Sequence, residues 1–250
     1  MMRLVKLIFA LPLLVALSQP AAAQGLSKAQ EQAVDKLISD YFIRNPDKLE
    51  QALSAYQNYM QEQERLRFEQ TLKDSAKDLY RNKLDFSMGP ADAPITIVEF
   101  FDYNCGYCKR AFAPLMEVMQ ENDDVRLVFK EFPILSEDSE RAAKVALAVD
   151  DKLQFLTFHT KLMTHRGPIN NALLDKTIAD MKLNKAAIDK QADSDVIMAH
   201  IEANRSLARD LGLTGTPAFI INDAVYPGAL DKPRLDEAIA LARSELKKNK

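Results

Sequence analysis

Two cysteines stand in the run Cys105-Gly106-Tyr107-Cys108, and the 250-residue chain has no others. A thiol pair at this spacing can close a small disulfide ring within one turn of chain and reopen it by thiol–disulfide exchange. The flanks say how the pair is held. Ile95-Thr96-Ile97-Val98-Glu99-Phe100-Phe101 reads as a buried strand and Lys109 to Glu121 as a helix. The first sulfur then lies at a helix N-terminus, where the partial positive charge favours thiolate over thiol. A zinc half-site is the competing use of such a pair. Structural zinc wants four ligands, and the three histidines, His159, His165 and His200, are not spaced as a matching pair. They read as surface or packing residues, and no metal or other cofactor is expected beyond the redox-active pair itself.

The start of the chain sets the compartment. Arg3 and Lys6 precede an apolar run from Leu7 to Leu17, and Ala21-Ala22-Ala23 follows. That run is about half of what a bilayer span needs. The pattern is that of a secretory signal peptide over residues 1–23, cleaved near Ala23 so that the mature chain begins near Gln24. An uncleaved anchor is the alternative. Cleavage removes two cations and no acid, moving the formal net charge from −3 to −5. Such a mildly acidic chain, without a long Lys/Arg cluster, is not expected to bind nucleic acid. Export places the cysteines in an oxidising compartment. A disulfide across a two-residue gap removes little entropy from the unfolded chain, so the pair is better placed for chemistry than for stapling.

The elements that position the pair follow from periodicity. Residues 24–81 read as an N-terminal helical segment with helices at about 28–43 and 46–81, broken at Asn45-Pro46. Asn45 is expected as an N-cap and Pro46 at the first helical position. Leu49, Leu53, Tyr56 and Met60 follow the spacing of a coiled-coil seam. A helix so long and polar is hard to cover within one domain, which favours self-association over packing on its own domain. Residues 82–94, with two prolines and a glycine, read as a linker. The compact domain is expected over residues 95–250: strand 95–101, the cysteine helix kinked at Pro114, strand 125–132, a helical insertion at about 137–210, strand 218–221, a hairpin partner at 224–226, and a closing helix 231–248. One crossover helix between the first two strands suits a parallel βαβ unit. The fold class is therefore α/β, a thioredoxin-like sheet with a helical insertion, preceded by a helical oligomerisation segment.

The run Val98-Glu99-Phe100-Phe101-Asp102-Tyr103-Asn104-Cys105-Gly106-Tyr107-Cys108-Lys109-Arg110, followed by Gly215-Thr216-Pro217-Ala218-Phe219, resembles the DsbA branch of the thioredoxin superfamily. With its helical N-terminal segment, the chain is similar to the exported, oligomeric group typified by suppressor-of-copper-sensitivity protein C and Com1-like proteins. The resemblance implies that Cys105 is the attacking thiolate and Cys108 the buried resolving thiol. It implies that Thr216-Pro217 is a cis-proline loop presenting backbone to an extended substrate. Glu99 and Lys130, an acid and a lysine on adjacent strands, are expected beneath the site as a pair that takes or relays the Cys108 proton; solvation of both on an edge strand is the alternative. The Gly106-Tyr107 dipeptide lacks the histidine common between the cysteines of the family's strong oxidants. A less extreme thiolate and a less oxidising disulfide are expected.

These features point to a periplasmic thiol–disulfide oxidoreductase acting on exported cysteine-containing proteins, with isomerase or reductase duty favoured over oxidase. A membrane redox partner would reset the cysteines, and a homo-oligomer is expected, trimer before dimer. The second reading, from a different class, is a copper-tolerance protein holding Cu(I) between Cys105 and Cys108, since soft thiolates select that ion. A third role, as an envelope interaction protein or surface antigen docking by its helical arm, is compatible with either.

Overall fold

The computed structural model describes residues 25–248, so the signal peptide expected over 1–23 lies outside the described residues. The chain divides into one unit up to Gln61 and another from Glu62 onward. The first contains α1 (Lys28–Arg44) and the opening turns of α2 (Pro46–Tyr80). Ser27 starts α1 through a capping box with Gln30, each side chain satisfying the other's backbone N–H. Asn45 does not cap α2 as expected. Its amide donates to the Tyr41 carbonyl at 2.8 Å and so finishes α1. Pro46 does take the first position of α2, where its missing N–H costs nothing. No residue of α1 is buried, and Leu37, Ile38, Leu49, Leu53 and Tyr56 all lie exposed.

The second unit is built on a five-stranded sheet in the order β1-β3-β2-β4-β5. Its strands are β1 (Ser87–Met88), β2 (Ile95–Phe101), β3 (Val125–Glu131), β4 (Ala218–Ile221) and β5 (Ala224–Pro227). β2 and β3 run parallel and are joined by α3 (Gly106–Glu121); β4 returns antiparallel to β2, and β5 closes a hairpin on β4. β2 and β3 are buried along nearly their whole length, as fits strands covered on both faces. The insertion consists of α4 (Glu137–Leu147), α5 (Lys152–Thr164), α6 (Asn171–Asp180), α7 (Lys185–Ala192) and α8 (Asp195–Asp210), and α9 (Lys232–Lys248) ends the fold. Ser136, Asp151, Asn170, Asn184 and Ser194 cap the five insertion helices, each accepting from a backbone N–H of the first turn.

Strand alternation sorts the core in two. Ile95, Ile97, Phe101, Leu127 and Phe129 share one core with Leu115 of α3 and Leu235 of α9. Val98, Phe100, Val128 and Ile220 share the other with Leu72 and Leu79 of α2 and Leu207 of α8. The end of α2 thus belongs to the second unit, although the spacing predicts a separate helical segment running to residue 81. The linker also differs from expectation. Ser87 and Met88 pair antiparallel with Val128 and Leu127, and the Phe86 ring stacks on Phe155 with centroids 4.4 Å apart. Gly89 makes the turn out of β1 possible: its φ is +85°, and a Cβ there would collide with the Val125 carbonyl.

Candidate active site

Cys105 is the N-cap of α3 and Cys108 lies in its first turn. The Cys108 N–H donates to Cys105 Sγ at 3.4 Å, and Cys105 Sγ lies 3.2 Å from the Thr216 carbonyl. The Thr216-Pro217 peptide bond is cis. A carbonyl can only accept, so that contact holds the protonated thiol. It is outweighed by donors: hydrogen bonding from Cys108, then the Thr216 hydroxyl and the N–H groups of Cys108 and Tyr107, bring the Cys105 pKa from 9.0 down to about 5 against the opposing cost of burial. Cys108 is driven the other way. Burial, its bond to Cys105 and the charge of Glu99 all raise its pKa. One sulfur is therefore a ready nucleophile at neutral pH and the other a held thiol.

The loop before Cys105 is tied down by residues that the sequence reading did not single out. Buried Asp102 accepts from the Asn104 N–H at 2.7 Å through one oxygen and from the Ile134 and Leu135 N–H groups at 2.9 and 3.1 Å through the other. Asn104 in turn exchanges hydrogen bonds with the Ile169 backbone and reaches Ser139. Lys109 donates to the carbonyls of His165 and Gly167 at 3.1 and 2.8 Å. The visible signal for the first was Asp102-x-Asn104 directly after an apolar strand, a turn-forming pair. The Tyr103 hydroxyl and Nδ1 of His159 share a hydrogen bond of 2.9 Å inside a cage of Phe101, Phe112, Phe129 and Phe155. Burial takes the His159 pKa down to about 3, so this histidine is neutral packing.

The expected Glu99–Lys130 pair does not form. In the parallel register Glu99 lies beside Phe129, while Lys130 lies beside Phe100. Being one residue out of step sends the two side chains to opposite faces of the sheet. Lys130 is buried in the α2–α8 side, where Asp85 and the Asp78 carbonyl accept its ammonium; Asp85 also accepts from or pairs with His200 Nε2 at 2.8 Å. Glu99 is wholly buried on the α3 face, and neither of its oxygens has a hydrogen-bond partner. Burial, with a smaller push from the Cys105 charge, lifts its pKa from 4.5 to about 8. Glu131, which pairs in register with Phe101, occupies the same face; its oxygens are also unpartnered and burial raises its pKa well above the ordinary range. β2 is an interior strand, which removes the solvated alternative for Glu99.

Fold and cysteine geometry together define a thioredoxin-like dithiol domain. The chain belongs to the DSBA-like thioredoxin domain family, which it matches over residues 96–240. It is similar to a thioredoxin-like oxidoreductase from Silicibacter pomeroyi, at 34% identity and a TM-score of 0.64, over 67% of this chain and 97% of that one. Proteus mirabilis ScsC in a transitional conformation matches at 30% identity and a TM-score of 0.65, over 88% of this chain and 98% of that one. Bacillus subtilis disulfide bond formation protein D is 26% identical over 61% of this chain and 74% of its own length. The chain spans only about a quarter of the curated Na(+)/H(+) antiporters NhaA that it also matches, 24% of the one from Salinispora arenicola at 27% identity. No helix among the described residues is long and apolar enough to cross a membrane.

Proposed function

We propose that this chain is an exported thiol–disulfide oxidoreductase that works on cysteine-containing proteins through Cys105 and Cys108, with isomerase or reductase duty favoured over oxidase. The observation that carries the reading is the opposed pair of sulfurs: a low-pKa Cys105 beside the Thr216-Pro217 loop and a buried, high-pKa Cys108 one turn behind it.

The exchange starts with both cysteines reduced. The Cys105 thiolate attacks one sulfur of a substrate disulfide, whose other sulfur leaves as thiolate, and a mixed disulfide forms. For rearrangement, the freed substrate thiolate or another attacks within the substrate and releases Cys105 unchanged. For net reduction, Cys108 loses its proton and attacks Cys105 Sγ. The substrate then leaves as a dithiol, two electrons richer, and Cys105–Cys108 is a disulfide. A membrane redox partner returns the electrons. Glu99, buried without a partner and titrating near 8, is the group suited to receive the Cys108 proton.

The unpartnered apolar residues of α1 and of α2 before Gln61 support a homo-oligomer, with a trimer favoured over a dimer. Similarity to ScsC and to a periplasmic thioredoxin-like protein of Salmonella supports an envelope location. Scrambled ribonuclease refolding tests the activity directly: recovery with the reduced protein supports the reading. Cys108→Ala is expected to accumulate mixed disulfides with exported proteins. A protein that binds Cu(I) tightly and fails both assays is a copper carrier instead.

A further inference from the structure

The chain as a whole is acidic, at a formal −3, yet the surroundings of Cys105 are not. Two grooves flank this sulfur. One, of about 950 Å³, lies between the start of α3 and the loop after α5, and Arg110, His165 and Arg166 line it. The other, of about 480 Å³, lies between α3, Thr216 and the start of α9, and Arg110 and Arg234 line it. Arg110, Arg166 and Arg234 are exposed, and none makes an ion pair among the described residues. Arg141, Arg205 and Arg243, away from these grooves, are each paired with a carboxylate. The Arg110 guanidinium lies 4.0 Å from the centre of the Tyr107 ring, an arrangement that holds the group without cancelling its charge.

The grooves do contain two carboxylates, Asp138 and Asp231. Both are engaged locally. Asp231 accepts from the Arg234 N–H at 3.1 Å, and Asp138 lies in the first turn of α4, where the helix dipole favours it. The side chains of the three arginines make no hydrogen bond or ion pair among the described residues, and the thiolate owes its low pKa mainly to hydrogen bonds rather than to them. They remain as unspent positive charge around the atom that substrates must reach, an arrangement that raises the local concentration and on-rate of anions.

We propose that these arginines select clients by charge: the protein exchanges preferentially with cysteines whose flanking residues are Asp or Glu, seated in the two grooves against Arg110, Arg166 and Arg234. The proposal rests on the oxidoreductase reading and names its substrate class. The test uses two disulfide-linked peptides, identical except for glutamates or lysines beside the cysteine, each reacted with the reduced full chain. Because the protein has no tryptophan, a tryptophan in the peptide reports each reaction. The quantity read is the ratio of the two rates, so any change in the intrinsic reactivity of Cys105 cancels. At low salt the glutamate peptide is expected to react roughly tenfold faster, with the ratio falling toward one at high salt. Replacing all three arginines by glutamine is expected to remove the preference, and replacing them by glutamate to reverse it. Equal rates for the two peptides at low salt, or a preference that survives the glutamine variant, would overturn the proposal and leave the oxidoreductase reading standing. If neither peptide reacts, the oxidoreductase reading falls, and this one with it.

Discussion

The two faces of one pair of strands handle buried charge in opposite ways. On the α2–α8 face, Lys130 is matched to Asp85, and Asp85 to His200, with all three side chains nearly inaccessible. On the α3 face, Glu99 and Glu131 are comparably buried, and no cation among the described residues pairs with either. A paired ion set fastens the chain, because breaking it would leave a charge buried alone. An unpaired carboxylate is costly when charged, and for that reason it can change its proton near neutral pH. The difference separates a matched clasp from carboxylates left unmatched, although the residues are neighbours in sequence.

Breaking the clasp should have the largest effect. Asp85→Ala leaves the Lys130 ammonium buried without its carboxylate and is expected to cost about 3–5 kcal/mol in denaturant unfolding. Exchange activity per folded molecule should persist. A loss below about 1 kcal/mol would mean that water reaches Lys130.

Glu99→Gln should move stability the other way. The folded pKa of about 8 lies above the ordinary 4.5, so the folded protein holds this proton more tightly than the unfolded chain does. Stability is therefore lost as pH rises from about 4.5 to about 8. The glutamine variant escapes that loss, by on the order of 3 kcal/mol at pH 7. The two unfolding curves should converge below pH 4.5. In the same variant the release of mixed disulfides by Cys108 should slow by about 10²-fold, the ordinary worth of a positioned proton acceptor. A variant that is more stable but equally fast would make Glu99 a buried defect rather than a proton acceptor.

The smallest effects sharpen the comparison further. Ultraviolet titration of the Cys105 thiolate should give a midpoint near 5, less acidic than the roughly 3.5 of the strongest oxidant of this class. Glu99→Gln should leave that midpoint in place, because Glu99 is already protonated there. A downward shift would mean that Glu99 carries charge at pH 5.

The strands, the cysteine helix and the proline loop were legible because each has a local signature: a run of β-branched and aromatic residues, a periodic helix, a Thr-Pro before a strand. That Glu99 and Lys130 face opposite ways was not legible, because strand register is a tertiary property. Choosing the neighbour one position along reverses the face. β1 escaped for a related reason: Ser87-Met88 is too short to show alternation and exists only because β3 offers it an edge. Asp85 read as an ordinary linker acid, since its two buried partners come from residues 45 and 115 positions away. The arginines around Cys105 were equally invisible, scattered as they are over α3, a loop and α9.

The two-residue strand bears on the clients that the proposed function implies. Such clients carry extended segments with unsatisfied amides and carbonyls, and an open sheet margin invites them to add on as an extra strand. Met88 and Ser87 occupy the outer side of β3 at Leu127 and Val128, and the Phe86 carbonyl takes the Phe129 N–H at 3.0 Å. At the opposite margin β5 is four residues long and ends in Pro227, which has no N–H to offer. Under the proposed function, these two blunted margins would leave the sulfur, rather than the sheet edge, as the place where an extended client engages.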